Sequence, residues 1–538
     1  MNNFPIKYFL VLVLAGMALY SCGQPYKSDE ILTKNAQLWD ESIKGSFVEN
    51  SKLIIDSTEI IDFFKHYSQL KTVEKDVLSF YSSRDYAYAW FDNGKPIEQA
   101  GNLFNRIINL ESEGIYSKVP YQDKLDSLFN LSGTETKPSI LLELMLTADY
   151  FIFSKLSWEG MDQSVSESLK WHLPRKKVNY EQYLDSILDN HNSEKTIKEP
   201  VYRQYELLRA FLKKYKVLER QQSWPNIKFI KNGTQPGDSS TIISSIKKRL
   251  YLLNDFHGDT TNTVFDENLS QSIKIYQQRN GINPDGKINK ETINTLNIPL
   301  KNLIKQIIVN MERNRWLPIA KYEDVLAVNI PDFKLHVFHL DSLLWSCKVV
   351  VGKTTRPTTV FYGDLKYVVF SPYWNIPESI TKNEIVPQMR KNANYLKNHA
   401  MEIIGYSNGL PTVRQKPGPD NALGLVKFLF PNSYNIYLHD TPAKSLFGET
   451  SRTFSHGCIR VEEPVKLANF LLQYQIDWTP EKINLAMHNG REINVSLTKK
   501  VPVFIAYFTA FVGKDQKLNF RKDIYNLDKH LADMLLLD

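Results

Sequence analysis

The hydrophobic period of this chain changes near residue 319, and that change constrains the fold more than any other feature. Before it, core-type positions recur at helical spacing, as in Ile242, Ile246, Leu250 and Leu253, and again in Leu269, Ile273, Tyr276 and Gln277. After it come short runs rich in β-branched and aromatic residues at 325–330, 334–339, 346–351, 365–370, 435–438 and 501–508. A repeat near 3.6 predicts helices, and short β-rich runs bounded by turn residues predict strands. A chain of 538 residues has room for about two to four domains of ordinary size. The fold class that follows is multi-domain α+β, helical first and mostly β later.

Residues 22–235 read as a helical domain. The stretch 140–158 is apolar-rich, contains no glycine or proline, and is punctuated by the charged Glu143, Asp149 and Lys155, which predicts a buried helix. Tyr86-Ala87-Tyr88-Ala89-Trp90-Phe91 runs into Asp92-Asn93-Gly94-Lys95-Pro96, an aromatic segment ending in a turn. A second unit, 236–298, carries two helical repeats, the turns Gly281-Ile282 and Asp285-Gly286-Lys287-Ile288, and a short third helix ending at Leu296. Pro236-Gly237-Asp238-Ser239-Ser240 leads into it and Pro299 leaves it. A linker helix is expected over 299–318 and the β-rich domain over 319–513. Residues 376–420 interrupt that domain with a polar insertion, helical around 382–397 and proline-rich afterwards. A connection of that length in a small β domain is expected to be functional. The segment 514–538 reads as a tail with a helix at 528–537.

Charge and termini narrow the setting. The net charge of +7 suits an anionic surface, but no basic stripe interleaved with stacking aromatics occurs, so nucleic acid is not an expected partner. Lys7 precedes an apolar run over residues 8–20, which is short for a bilayer span and fits a secretory leader over 1–21. The run ends in Leu19-Tyr20-Ser21-Cys22-Gly23, similar to the bacterial lipoprotein box, in which the cysteine is acylated and becomes the first residue. The expectation is a membrane-anchored lipoprotein facing the periplasm of a Gram-negative-type bacterium, lipidated on Cys22. A plain signal peptide or an uncleaved anchor is the alternative.

There are three cysteines, Cys22, Cys347 and Cys458, too few for a disulfide framework. Cys347 sits in a strand-like run and reads as a small core residue. Cys458 differs, because it lies in Phe454-Ser455-His456-Gly457-Cys458-Ile459-Arg460-Val461 with His439 a short way upstream in Tyr437-Leu438-His439-Asp440-Thr441. A thiol paired with an imidazole is a nucleophile. Gly457 lets the backbone turn so that N–H groups converge, as an oxyanion requires. The chemistry implied is acyl transfer through a thioester. Sequence alone leaves open that Cys458 is buried and His439 an ordinary surface histidine.

The combination of His439 with Ser455-His456-Gly457-Cys458-Ile459-Arg460 resembles the signature of the L,D-transpeptidase (YkuD-type) catalytic domain, which remodels bacterial peptidoglycan. Arg414-Gln415-Lys416-Pro417-Gly418-Pro419, Asn421-Ala422-Leu423-Gly424, Lys427-Phe428, Pro372-Tyr373-Trp374-Asn375-Ile376-Pro377 and Asn310-Met311-Glu312-Arg313-Asn314-Arg315-Trp316-Leu317-Pro318 resemble its large, multi-domain branch. The resemblance implies a scaffold domain at 22–235, a peptidoglycan-binding module at 236–298, with a plain helical spacer as the alternative, and a capping subdomain at 376–420.

It also implies roles. Cys458 is the nucleophile, His439 the base, the main-chain carbonyl of Asp440 its orienter, and the N–H groups of Gly457 and Cys458 the oxyanion donors. The expected partners are donor and acceptor stem peptides, with carbapenem-type inhibitors acylating the cysteine. His456, two residues from Cys458, would point the opposite way in an extended segment and is assigned a structural or oxyanion-loop place on the substrate side. Arg460 would share the face of Cys458 and either hold the loop or bind a substrate carboxylate. Tyr437 would share the face of His439 and line the donor groove, while Trp374 reads as domain core.

Other motifs are set aside. Ser379-Ile380-Thr381-Lys382 and Ser496-Leu497-Thr498-Lys499 lack the companions of a penicillin-binding site. Gly352-Lys353-Thr354 lacks the first glycine of a phosphate loop, where Cys347 stands. His336 and His339 have no zinc-site partners in sequence, so neither metal nor cofactor is expected. The expected activity is 3→3 cross-linking. Alternatives are L,D-carboxypeptidase action, attachment of a protein to the wall by the same chemistry, or a non-catalytic wall-binding lipoprotein.

Overall fold

The computed structural model describes residues 53–92, 94–132, 137–188, 198–229, 235–318 and 322–536. The leader and Cys22 lie outside the described residues. Among those described, no helix is long and apolar enough to cross a membrane.

The N-terminal domain is built around the helix Ile140–Ser154, whose N-terminus is capped by the Ser139 hydroxyl accepting from the Leu142 N–H. That helix is apolar on nearly every side, as the sequence predicts, and a π-helical turn, Lys155–Glu159, continues it. Its buried Glu143 accepts from the Ala89 N–H at 2.5 Å, the Trp90 N–H at 3.0 Å and the Tyr81 hydroxyl at 2.8 Å. The aromatic segment is thereby pinned to the helix before it turns through the hairpin β1 (Phe91–Asp92) and β2 (Lys95–Pro96).

The next strand, β3 (Trp171–His172), leaves this domain and pairs in parallel with β7 (Val360–Phe370). Trp171 packs edge-on against Trp316 at 5.5 Å and Phe508 at 5.8 Å. A two-residue strand is too short for periodicity to reveal it.

The same sheet also contains β4 (Asp324–Asn329), β5 (Lys334–His339), β6 (Ser342–Gly352), β11 (Val426–Leu429), β12 (Leu438–His439), β13 (Thr453–Ser455), β14 (Ile459–Val461) and β15 (Ile493–Ala506). Its order is β11-β12-β14-β6-β5-β4-β15-β7-β3, with β13 beside β6. Because β11 pairs with both β12 and β7, the sheet closes on itself around an apolar core that includes Val328, Val349, Val368, Leu438, Ile459 and Val503. Residues 435–437, expected as strand, carry no regular structure and follow a turn at 433–434, with Asn435 in the left-handed region, and only Leu438–His439 forms the strand.

The insertion begins at β8 (Trp374–Asn375), slightly before the expected boundary. β8, β10 (Leu410–Gln415) and β9 (Met401–Ser407) form a separate sheet over a small core of Ile376, Ile380, Ile385 and Val413. The proline-rich segment after the helical stretch thus contains a hairpin. Its tip is Asn408-Gly409, both with positive φ, a pair that matches the twist of a two-residue hairpin turn.

The second unit has the helices Thr241–Leu252, Glu267–Arg279 and Lys290–Leu296 around one apolar core. The helix that follows, Leu300–Arg315, was expected to be a linker. Instead every residue from Ile307 to Arg315 is buried. Its polar residues are partnered on both sides. Arg315 donates to the Glu113 carbonyl at 2.5 Å and to Glu312 at 2.7 Å, while Arg313 donates to Asp528 at 2.6 Å and Asn310 to Thr509 at 2.7 Å.

The C-terminal segment, expected as a tail, is likewise integral. The hairpin β16 (Ala510–Val512) and β17 (Leu518–Phe520) packs against helices Arg203–Gln221 and Leu300–Arg315. Helix Leu527–Leu535 buries Leu531 and Ala532 in the core of the closed sheet. Arg279 of the second unit donates to the Leu518 carbonyl at 2.9 Å, and Arg521 donates back to the Arg279 carbonyl at 2.7 Å. Apolar side chains and charge pairs that look solvent-facing in a terminal segment find partners here from distant parts of the chain.

Candidate active site

Strands β12 and β14 run parallel, with Leu438 opposite Ile459 and His439 opposite Arg460. Leu438, Ile459 and Val461 are fully buried in the core. Side chains alternate across a sheet, so His439 and Arg460 project to the other face, together with Tyr437 and Cys458 one step outside the pairing. Four of the expected site residues thus share one surface. The Tyr437 and His439 rings lie 5.7 Å apart.

His439 is 4% exposed. Its Nδ1 lies 2.5 Å from the Asp440 carbonyl oxygen. A carbonyl only accepts, so Nδ1 carries the proton and Nε2 keeps its lone pair. Burial and the charge of Arg460 push the imidazole down to about 3, against the pull of the Asp440 and Leu423 carbonyls. It rests neutral.

Asp440 is fixed in turn. Its N–H donates to the Val426 carbonyl at 2.9 Å, and its carboxylate accepts from the Leu425 N–H at 2.8 Å and from Lys444 at 2.5 Å. Gly424, with φ +63°, lies so close that a Cβ there would come 2.3 Å from Asp440 Oδ2. The turn before it is organised by the buried Asn421. Its amide donates to the Pro372 carbonyl at 3.1 Å and the Lys416 carbonyl at 2.9 Å, and its oxygen accepts from the Leu423 N–H at 2.8 Å. Gln415 receives the Ala422 N–H at 2.9 Å. The run Asn421-Ala422-Leu423-Gly424 and the end of the insertion therefore act as the bed for Asp440 and, through it, His439. No local sequence signal distinguishes these residues from family markers, because their partners lie on other segments.

Cys458 is partly buried, and its thiol donates to the Asn435 carbonyl at 3.6 Å. Asn432 shapes the turn that presents this carbonyl, accepting from Tyr434 and Ile436 and donating to Phe430 and Ile436. Burial pushes the thiol up, opposed by hydrogen bonds from the Tyr437 main chain and hydroxyl and by the charge of Arg460. The site thus rests as a protonated thiol beside a neutral imidazole. Cys347 is a free, buried thiol within β6, pushed up to about 12 by burial.

The loop around Cys458 bears on the expected places of Gly457 and His456. Gly457, at φ +118°, does turn the chain, but its N–H donates to Ser455 Oγ at 3.1 Å, while that hydroxyl donates to the Cys458 carbonyl at 2.6 Å. The Gly457 N–H is therefore engaged and not free to receive an oxyanion. His456 turns outward, with Nε2 3.0 Å from Glu384 Oε1 on the insertion, and so bridges the nucleophile loop to the cap. Arg460 keeps a buried Nε with no protein acceptor among the described residues. Trp374, expected in the domain core, is half-buried against the insertion's own small core, and its side chain is a hydrogen-bond partner of the Tyr437 side chain. It lies at the join between cap and site because β8 enters the insertion there.

Possible metal-ligand atoms of Glu323, just before β4, Asp324 at its start and His339 at the end of β5 lie within 4.8 Å of one another. The Lys499 ammonium already sits against both carboxylates, 3.7 Å from Asp324.

Residues 323–503 match the family described as "L,D-transpeptidase catalytic domain", 75–212 a "Scaffold domain" and 239–296 a "Putative peptidoglycan binding domain". A Haemophilus influenzae protein described as a "Putative L,D-transpeptidase" is 32% identical over 246 residues, which are 43% of this chain and 49% of that protein. The chain thus spans about half the length of that curated relative. Similar solved structures include an L,D-transpeptidase from Stackebrandtia nassauensis, at 12% identity with a TM-score of 0.21, covering 53% of this chain and 97% of that one. Another is an L,D-transpeptidase from Mycobacterium smegmatis, at 13% identity with a TM-score of 0.20, covering 34% and 58%. The chain carries an L,D-transpeptidase catalytic domain together with a scaffold domain and a peptidoglycan-binding domain.

Proposed function

We propose that this protein forms 3→3 cross-links in peptidoglycan through a thioester on Cys458. The observation that carries the reading is the neutral His439, with its proton committed to the Asp440 carbonyl, on the same sheet face as the thiol of Cys458. Cys458 Sγ attacks the carbonyl carbon of the third residue of a tetrapeptide donor stem, and His439 Nε2 takes the thiol proton. The bond to the terminal D-alanine then breaks, and His439 returns the proton to the leaving amine. The side-chain amine of an acceptor stem attacks the thioester, forming the new amide and restoring the thiol. The Cys458 N–H is the main-chain donor for the oxyanion, since that of Gly457 is engaged. Arg460, with its buried and unpartnered Nε, is suited to a donor carboxylate. Tyr437 lines the donor groove.

Incubating the purified protein with a tetrapeptide muropeptide and following it by mass spectrometry tests the reading. An acyl-enzyme on Cys458 followed by cross-linked dimers supports it. Tripeptide product alone would assign an L,D-carboxypeptidase, and coupling to a protein amine would assign wall attachment. The absence of any adduct would leave a non-catalytic wall-binding protein. We also propose that Cys22 is lipidated and holds the enzyme at a membrane facing the periplasm. Cys22→Ser would then move the protein to the soluble fraction and abolish labelling by a fatty-acid analogue, and persistent labelling would refute it.

A further inference from the structure

The C-terminal segment reaches the nucleophile loop from behind. The Tyr525 hydroxyl donates to the Gly352 carbonyl at 2.6 Å and accepts from the Thr358 N–H at 3.2 Å, closing the turn between β6 and β7. Inside that turn the buried Thr358 hydroxyl accepts from the Gly352 N–H at 2.9 Å and donates to the Gly457 carbonyl at 2.8 Å. The turn has no slack, for a Cβ on Gly352 would lie 2.3 Å from the Arg356 carbonyl oxygen. Tyr525 is itself fixed. Its N–H donates to the Tyr507 hydroxyl at 2.9 Å, its ring stacks on Tyr507 at 5.7 Å, and the Tyr507 hydroxyl donates to Asp523 at 2.6 Å. Asp523 accepts from the first N–H groups of the helix Leu527–Leu535, and Asp528 of that helix holds Arg313 of the central helix.

The Gly457 carbonyl and the Cys458 N–H belong to one planar trans peptide unit and point in opposite directions. A hydroxyl that holds the carbonyl therefore aims the N–H the other way. With the Gly457 N–H spent on Ser455, the Cys458 N–H is the one whose direction matters. We infer that Thr358 and Tyr525 are positioning residues that aim the Cys458 N–H at the oxyanion, which makes the C-terminal segment part of the catalytic apparatus. The inference rests on the proposed role of Cys458 as nucleophile.

The test uses the full chain with Thr358→Val, Thr358→Ser and Tyr525→Phe. Intact-mass time courses over a range of imipenem concentrations separate the saturating acylation rate from the half-saturating concentration. Alkylation of Cys458 by iodoacetamide, which forms no oxyanion, is followed in parallel. Thr358→Val and Tyr525→Phe are expected to lower the saturating rate at least about tenfold while leaving half-saturation and alkylation within about twofold. Thr358→Ser keeps the hydroxyl and should acylate near the wild-type rate. Folded variants that acylate at the wild-type rate would overturn the inference, as would acylation and alkylation falling together, which marks a disordered loop. If Tyr525→Phe does not fold, the Thr358 pair decides alone. A wild-type protein alkylated on Cys458 but never acylated there overturns this inference and the proposed function together. Acylated wild type with unaffected variants overturns only this one.

Discussion

His439 donates its Nδ1 proton to the carbonyl of its own neighbour, Asp440, at 2.5 Å. The acceptor is main chain, so side-chain substitution at 440 cannot remove it directly. It can be moved only by shifting the backbone, and the bed under that backbone is Gly424, Leu425 and Val426. The imidazole proposed as base is therefore oriented by how tightly two strands pack.

The acid limb of the reaction should lie well below the ordinary histidine range. Burial holds His439 down to about 3, and Cys458 is pushed up, so the productive protonation pair persists across neutral pH. Acylation by imipenem should be nearly flat from about pH 5 to about pH 8. The linkage has a definite sign. The unfolded imidazole binds a proton near 6.5 and the folded one near 3, so its contribution to stability is present above 6.5 and is lost as pH falls toward 3. A rate that rises with a midpoint near 6.5 would contradict this assignment of the base.

His439→Ala and His456→Ala should separate the two histidines of the site. Removing the base should cost on the order of 10²–10⁴ in acylation rate. Removing His456 should cost far less, because its ring faces Glu384 on the insertion. Rate constants for the two variants in one imipenem assay check this, and a reversed order would move the base to His456.

Gly424→Ala should impair catalysis without touching a catalytic side chain. The added methyl would meet Asp440 Oδ2 at 2.3 Å, at a backbone angle of +63° that disfavours any side chain. Moving Asp440 tilts the imidazole, and a displacement near 1 Å costs about a hundredfold. Thermal unfolding run beside the kinetics should show a folded protein with a lowered midpoint.

Arg279→Ala should destabilise the whole chain and not only its own module. The guanidinium holds the buried Asp255 through both carboxylate oxygens and donates to the Leu518 carbonyl of the C-terminal hairpin. Removing one partner of a buried pair costs about 3–5 kcal/mol, here softened by Lys517, which also reaches Asp255 at 3.3 Å. Urea unfolding should show a lowered midpoint with a single transition. A second, separate transition for residues 239–296 would contradict the coupling.

The pairing of Cys458 with His439 on one sheet face is legible because its signature is local. Cys458 lies inside one short run, and strand alternation ties it to His439. What was hidden lies far away in sequence. Thr358 and Gly457 are 99 residues apart, and Thr358 and Tyr525 are 167 apart, so no periodicity or motif joins them. The helix Leu300–Arg315 read as a linker because Asn310, Glu312, Arg313, Asn314 and Arg315 look like a solvated face, whereas each is buried against a partner. Asn408-Gly409 is a hairpin signal that the sequence itself carries, and it joins two paired strands within the proline-rich stretch.

The central claim is that Cys458 is the acylated residue. Intact and peptide-level mass spectrometry of the full protein after exposure to imipenem tests it most directly, with Cys458→Ala and Cys458→Ser alongside. The account predicts one adduct, located on Cys458, absent from the alanine variant and from the serine variant, whose hydroxyl is far less acidic than a thiol. Cys347, buried in β6, should stay unmodified. An adduct on Cys347, or an unmodified wild-type protein that is otherwise folded, would contradict it.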